Sequence, residues 1–255
     1  MATLKIMSFN MRMSYANDGV NNFVNRKPRI LEMLKAEAPD IIGFQEITPE
    51  MRDFIIENLT DYYAVGAGRG ATYNDEAPLI AFKKLDMQLI SCDTVMLSTT
   101  PSVPGSVYEG SDQSRCPRAY AKAFLKHKDI DKPFYVYNVH TDHVGALSRT
   151  LASLQMLQDI TSHNHEFLLT GDFNAHPDSR EIKMITDCRS RKITDATASL
   201  GGTFHDYGRR ENNVKIDYIF SSEGIGVKES ETVSDEPVNG VYYSDHFAIT
   251  ATVEF

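Results

Sequence analysis

Short apolar runs that stop on a polar or charged side chain recur through this sequence, and they constrain its fold more than any other feature. "IMSFN" stops on Asn10, "IIGFQE" on Glu46 and "FYVYNVH" on His140. "FLLTGDFN" carries Asp172 and Asn174 just past a glycine, "IDYIF" opens close to Asp217, and "SDHFAI" opens with Asp245 and His246. Runs of this length, rich in β-branched and aromatic residues, read as buried strands. Strand ends can aim side chains from distant parts of a chain into one crevice. Taken singly, Asn10 could satisfy a turn, Glu46 a helix start, His140 a structural hydrogen bond and Asp217 a turn. As a set, these residues are not ordinary surface decoration. Buried carboxylates need partners, and one divalent cation can serve several of them. Asn, Glu and Asp oxygens are hard ligands that suit Mg²⁺ or Mn²⁺ better than zinc.

The segments between these runs complete the pattern. "RKPRILEMLKAEAPD" predicts a helix with Ile30, Leu31 and Leu34 on one face, stopped by Pro39. "TPEMRDFIIENL" predicts a second, with Thr48 as N-cap and Pro49 at the first helical position. "GALSRTLASLQMLQDITSH" is the clearest helix, and its Leu147, Leu151, Leu154 and Leu157 are assigned to the core. A short helix is expected near "SREIKMITDC", and strands at "APLIAFKK", "MQLISCDTVML", "RAYAKAFLKH" and "GVKESETVS". The last run, "HFAITATVEF", alternates Phe247, Ile249, Ala251 and Val253 inward against His246, Thr250, Thr252 and Glu254. Many strands, few helices and a central β-meander argue against a purely parallel doubly wound sheet. The expected class is α/β, with two packed mixed β-sheets flanked by helices. Neither a repeat nor a Pro/Ser linker divides the chain, so residues 1–255 are read as a single domain. Ser98–Arg115 is the one long turn-rich insertion, either a functional loop or a solvated connector.

Charge narrows the partners. With 26 Lys and Arg against 35 Asp and Glu, the net charge of -9 provides no global basic field for coating nucleic acid. The absence of Trp and of a basic, aromatic-interleaved strip disfavours extended single-strand binding. A small or locally recognised phosphate ester fits better. The three cysteines, Cys92, Cys116 and Cys188, form no C-x-x-C pair and suggest neither zinc nor a disulfide framework. No apolar run approaches the roughly 18 residues of a membrane span. Stable membrane insertion is therefore not expected, and no protein partner is indicated. The chain is expected in the cytoplasm, or exported if a signal segment has been removed.

"SFN", "FQE", "NVHTDH", "GDFN", "IDYIF" and "SDH", in this order, resemble the endonuclease/exonuclease/phosphatase superfamily, whose fold is that of DNase I. The resemblance spans Ile6 to Phe255, and "GDFN" and "SDH" are its specific motifs. "CPRAYAKAF" also resembles a segment of bacterial members and of nocturnin-type deadenylases. The resemblance implies a DNase I-like four-layer α/β sandwich and a Mg²⁺- or Mn²⁺-dependent phosphoesterase using in-line attack by water. Glu46 would be the main metal ligand, with Asn10 nearby and Asp245 as a further ligand. Asp172 would take the water's proton and Asn174 would hold that water or a phosphate oxygen. His246, oriented by Asp217, would donate to a phosphate oxygen, with His140 binding from another side and Arg118 adding a charge-assisted contact. The substrate stays open among nucleic acid, nucleotide and inositol or lipid phosphate. The rival is a catalytically inactive phosphate-ligand binding module on the same fold. Abasic-site endonucleases carry tyrosine where His140 stands, which separates this chain from their substrate. "SHNHE" resembles part of the G-N-H-E signature of calcineurin-type metallophosphatases, but His163 replaces its glycine and the stretch precedes "GDFN", so it reads as a polar helix end. His143 is read as a rim residue, and His176 as a loop residue without a role.

Overall fold

The computed structural model describes residues 2–255. Its strands are β1 (Thr3–Asn10), β2 (Ile41–Ile47), β3 (Tyr62–Val65), β4 (Ala77–Lys83), β5 (Met87–Met96), β6 (Ala119–His127), β7 (Phe134–His140), β8 (Phe167–Asp172), β9 (Ile193–Asp195), β10 (Asp217–Ser222), β11 (Gly226–Thr232) and β12 (Ile249–Glu254). Its α-helices are α1 (Phe23–Glu37), α2 (Pro49–Asn58), α3 (Ala146–Thr161) and α4 (Arg180–Thr186). They build two six-stranded sheets, ordered β11-β12-β1-β2-β4-β3 and β5-β6-β7-β8-β10-β9. Each sheet contains one parallel pair, β1/β2 or β7/β8, among antiparallel neighbours. The pairs are joined through α1 and α3, as a parallel connection requires. This is the DNase I-like α/β sandwich.

Three apolar layers hold it together. Ile6, Ile41, Phe82, Val136, Leu168 and Val253 interlock between the sheets. Met7, Phe9, Ile30, Leu34, Phe44 and Ile55 fill the space under α1 and α2. Tyr137, Ala152, Met156, Ile160, Leu169 and Ile182 do the same under α3 and α4. Strands covered on both faces have no solvent side, which is why β1, β2 and β8 read as nearly continuous apolar runs.

The structure departs from the sequence reading in three places. In α3, Leu147 and Leu154 are exposed, while Ser148, Ala152, Ser153, Met156 and Ile160 are buried. The small residues let the helix lie close on the sheet, and the leucine stripe sits at its flank. Thr48 is the N-cap of α2 and Pro49 opens it, but the threonine makes no side-chain cap; its hydroxyl bonds Ser14 Oγ at 2.7 Å. His246 does not continue the outward face of the last strand, because β12 begins only at Ile249 and His246 is buried. Cys92 is exposed, and all three cysteines are free. Among the described residues no helix is long and apolar enough to cross a membrane.

Candidate active site

The carboxyl ends of the two parallel pairs open into one cleft of about 570 Å³. In the second sheet, His140, Asp172 and Asp217 are direct register partners across β7, β8 and β10, so three adjacent strands end on one row of side chains. From the first sheet come Asn10, at the end of β1, and Glu46, at the end of β2. Glu46 holds a left-handed φ of 61° where the β2/β4 register shifts between Phe44 and Ile47. Such a conformation is costly for a residue with a β-carbon and persists where surroundings enforce it. Pro78 of β4 lies opposite this bulge and has no N–H to give the ladder. Asn174 also has φ of 47° in the turn leaving β8.

Asp172 is the centre of the cluster. Asn10 Nδ2 donates to Asp172 Oδ2 at 2.9 Å and to Glu46 Oε1 at 3.1 Å, linking the two sheets. The Asn174 N–H donates to Asp172 Oδ1 at 2.9 Å. His140 Nε2 and His246 Nε2 lie 3.6 and 3.9 Å from Asp172 Oδ2. His246 Nδ1 donates to Asp217 Oδ2 at 2.9 Å, and the Thr203 hydroxyl donates to the same oxygen at 2.6 Å. Asp245 lies 3.6 Å from Arg12 Nε and lines the cleft beside Glu46. Arg118 lines it too, with Nη2 donating to His143 Nδ1 at 2.7 Å and Nε 3.5 Å from Asp142. Of the sequence-selected set, all but Asn10 and Asp217 line the cleft directly; Asn10 stands behind Glu46 and Asp172, and Asp217 behind His246. His143 lies at the wall, while elsewhere His163 stacks on Tyr135 and His165 meets it edge-on, and His176 is exposed.

Charge separates the two imidazoles. Burial alone lowers the pKa of His246, but the charge and hydrogen bond of Asp217, with Asp172 and Asp245 behind it, raise it to about 10. His140 is held well below the ordinary histidine value by burial, then by the charges of Arg118 and Arg69. One ring is thus an imidazolium and the other neutral. Burial, and then Asp217, push Asp172 up to about 7 against the pull of His246. Burial also raises Asp245, with Glu46 adding to it.

The carboxylates of Glu46, Asp172, Asp217 and Asp245 outnumber the cations nearest them, His246 and Arg12, which is the condition a hard cation relieves. Glu46 Oε1 accepts only from Asn10 and Oε2 only from the Met13 N–H at 2.9 Å, leaving lone pairs for a cation. Glu46 and Asp245 therefore fit a divalent ion. Asn10 faces the carboxylates with its amide nitrogen, while its oxygen accepts from the Arg12 N–H at 3.0 Å. Asp172, Asp217 and His246 also bring one potential ligand atom each within 4.8 Å of one another. In that trio Asp217 Oδ2 already serves His246 and Thr203, so the arrangement is better suited to holding a proton.

Sequence reasoning missed Arg12, Tyr15, Arg69, Glu76 and Phe204, all of which line the cleft. Only Arg69 left a signal: it stands in "GAGRGA", an arginine between glycines.

The family model described as Endonuclease/Exonuclease/phosphatase family matches residues 7–246. A solved endonuclease/exonuclease/phosphatase from Bacteroides vulgatus is 28% identical, with TM-score 0.91 and full coverage of both chains (100% and 100%). The human nocturnin catalytic domain with bound sulfate shares the fold at TM-score 0.77 and 19% identity, over 99% of this chain and 93% of that one. An uncharacterised protein of Acanthamoeba polyphaga mimivirus is 25% identical over 243 residues, which cover 86% of this chain and 88% of that protein.

Proposed function

The chain belongs to the endonuclease/exonuclease/phosphatase family, and from that premise we propose that it is a divalent-metal-dependent phosphoesterase that hydrolyses its ester by in-line attack of water. The observation that carries this reading is Asp172, a buried carboxylate set between a charged and a neutral imidazole. Glu46 and Asp245, with Asn10 beside them, would hold a magnesium or manganese ion, which would supply charge neutralisation at a phosphate oxygen.

The chain's own groups do the rest. Asp172 accepts a proton from the attacking water, whose oxygen bonds to phosphorus as the bond to the leaving oxygen breaks. A base that titrates near neutrality is well matched to that transfer. Asn174 orients the water through its amide. His246, kept protonated by Asp217, donates from Nε2 to a phosphate oxygen and offsets charge gathered there in the transition state. Neutral His140 donates a hydrogen bond from another side without adding a second positive charge beside Arg118. Asp217 touches no reacting atom; it positions the His246 ring and fixes its charge.

The test is a metal-dependent hydrolysis panel. It should contain p-nitrophenyl and bis-p-nitrophenyl phosphate, nucleotides, single- and double-stranded DNA, RNA and inositol phosphates, with Mg²⁺ and with chelator. Asp172→Asn and His246→Ala are each expected to lower kcat by about 10²–10⁴-fold, and chelator to abolish turnover. Activity that persists in chelator, or survives both substitutions, contradicts the mechanism. A folded, Mg²⁺-binding protein with no turnover would instead favour an inactive phosphate-binding module.

A further inference from the structure

Part of the cleft wall comes from two segments outside the sheets, residues 66–76 and 97–118. A β-carbon at Gly68 would meet the Tyr73 carbonyl oxygen at 2.2 Å, so only glycine allows the first segment to fold back this tightly. The fold-back brings the Arg69 N–H to the Glu76 carbonyl at 3.0 Å and Arg69 Nη2 to Glu76 Oε2 at 2.8 Å. Tyr15 donates its hydroxyl to Glu76 Oε1 at 2.6 Å. The second segment delivers Arg118. This guanidinium is 3% exposed, yet its Nε and Nη1 have no hydrogen-bond partner. A buried cation with unmet donors is unfavourable unless a ligand satisfies it.

The composition of this wall selects the ligand. Arg69 and Arg118 are matched by Glu76 and by Asp142, which lies 3.5 Å from Arg118. Two cations against two anions leave no surplus positive charge for a second phosphate. A nucleobase needs a ring to stack on. Phe204 packs on the His246 ring at 4.9 Å, and Tyr15, 65% exposed, is held at the rim by its hydroxyl bond to Glu76, so the guanidinium–carboxylate wall itself is polar rather than aromatic. Hydroxyl groups meet both demands at once, donating to a carboxylate and accepting from a guanidinium. Resting on the phosphoesterase reading above, the geometry points to a subsite for vicinal hydroxyls at Arg69, Glu76 and Arg118. The substrate is then a phosphate ester of a polyhydroxylated alcohol, a sugar or a cyclitol.

The experiment compares kcat/KM of the wild-type protein with Mg²⁺ on glucose 6-phosphate, myo-inositol 1-phosphate, butyl phosphate, p-nitrophenyl phosphate and adenosine 5′-monophosphate. At least one polyol ester is expected to exceed butyl phosphate by roughly 10- to 100-fold, the weight of one or two charge-assisted hydrogen bonds. Glu76→Gln should shrink that ratio toward one, chiefly through KM of the polyol ester, and Tyr15→Phe should reduce it partway. Tyr15 is 65% exposed, so its variant keeps the test open if Glu76→Gln does not fold. Equal rates on butyl and polyol esters, a preference for the nucleotide, or an unchanged ratio in the variants overturns the subsite. Titration calorimetry of glucose 6-phosphate and myo-inositol 1-phosphate into Asp172→Asn separates the two readings. If nothing is hydrolysed but a polyol phosphate still binds in a Glu76-dependent way, the catalytic reading fails and the subsite stands. If neither binds, the subsite fails as well.

Discussion

Asp142 touches no reacting group, yet it fixes the end of the strand that delivers His140. Its Oδ1 accepts the N–H groups of Ser114, Val144 and Gly145, and its Oδ2 accepts the Ser114 hydroxyl. Burial pushes this carboxyl up, but the Ser114 hydroxyl and the N–H groups of Gly145, Ser114 and Val144 outweigh it and hold the pKa at about 2. A folded-state value below the ordinary 3.8 means that the ionised group stabilises the protein above about pH 4 and loses that contribution as pH falls toward 2. Asp142→Asn is expected to lower stability by about 1–3 kcal/mol near neutrality. Urea unfolding midpoints of the two proteins should converge as pH drops below 4; a gap that stays constant down to pH 2.5 would show that ionisation is not what Asp142 contributes. Residues such as Asp142 and Glu76 were illegible in the sequence because their partners lie in loops whose path no periodicity encodes. Asp172 and His246 were legible because each sits beside a strand whose apolar pattern ends abruptly.

At the scale of the elements, the sheets meet over a polar seam rather than a purely apolar one. Asn138 of β7 donates to the carbonyls of Phe44 at 2.7 Å and Leu79 at 3.0 Å, in β2 and β4 of the other sheet. Gln45 donates to Asn138 Oδ1 at 2.6 Å. These carbonyls flank the bulge that turns Glu46 into the cleft, so one amide ties the bulge to the sheet that carries Asp172. The sheets approach so closely here that a β-carbon on Gly43 would lie 1.9 Å from Thr170 Oγ1. Asn138→Leu, similar in branching but larger, would remove the donor that both carbonyls share. It is expected to destabilise the protein by about 2–4 kcal/mol and to weaken Mg²⁺ binding in calorimetric titration. A variant with normal stability and unchanged Mg²⁺ affinity would detach the seam from the site. Two packed mixed sheets flanked by helices could be anticipated from the strand and helix patterns, but the order of the strands could not. The seam could not, because Asn138 and Gln45 interrupt apolar runs in the same way as surface-facing residues do. The leucines of α3 misled for a related reason: helical spacing reports a face, while the depth of that face depends on whether small residues beside it permit closer contact.

Across the whole molecule, a net charge of -9 and the carboxylates of Glu46, Asp172, Asp217 and Asp245 at one cleft make the folded state depend on its ionic surroundings. Two effects of added Mg²⁺ must be told apart. General screening weakens repulsion among all exposed acids and depends only on ionic strength, because separated surface charges are screened within about 10 Å at 0.1 M. Specific binding stabilises only the state that presents the ligands together, by about 2.7 kcal/mol at a hundredfold excess over Kd. For a chain of this size that corresponds to a rise in Tm of roughly 5–10 °C. Thermal melts in MgCl₂ and in KCl of matched ionic strength, each against chelator, resolve the two. The wild type is expected to gain the larger shift only in MgCl₂. Glu46→Gln is expected to melt no lower than wild type in chelator, since one buried repulsion has gone, and to lose the Mg²⁺-specific part of the shift. Identical MgCl₂ and KCl curves for the wild type would mean that no cation is held at this cleft, and the acids gathered there would need another account.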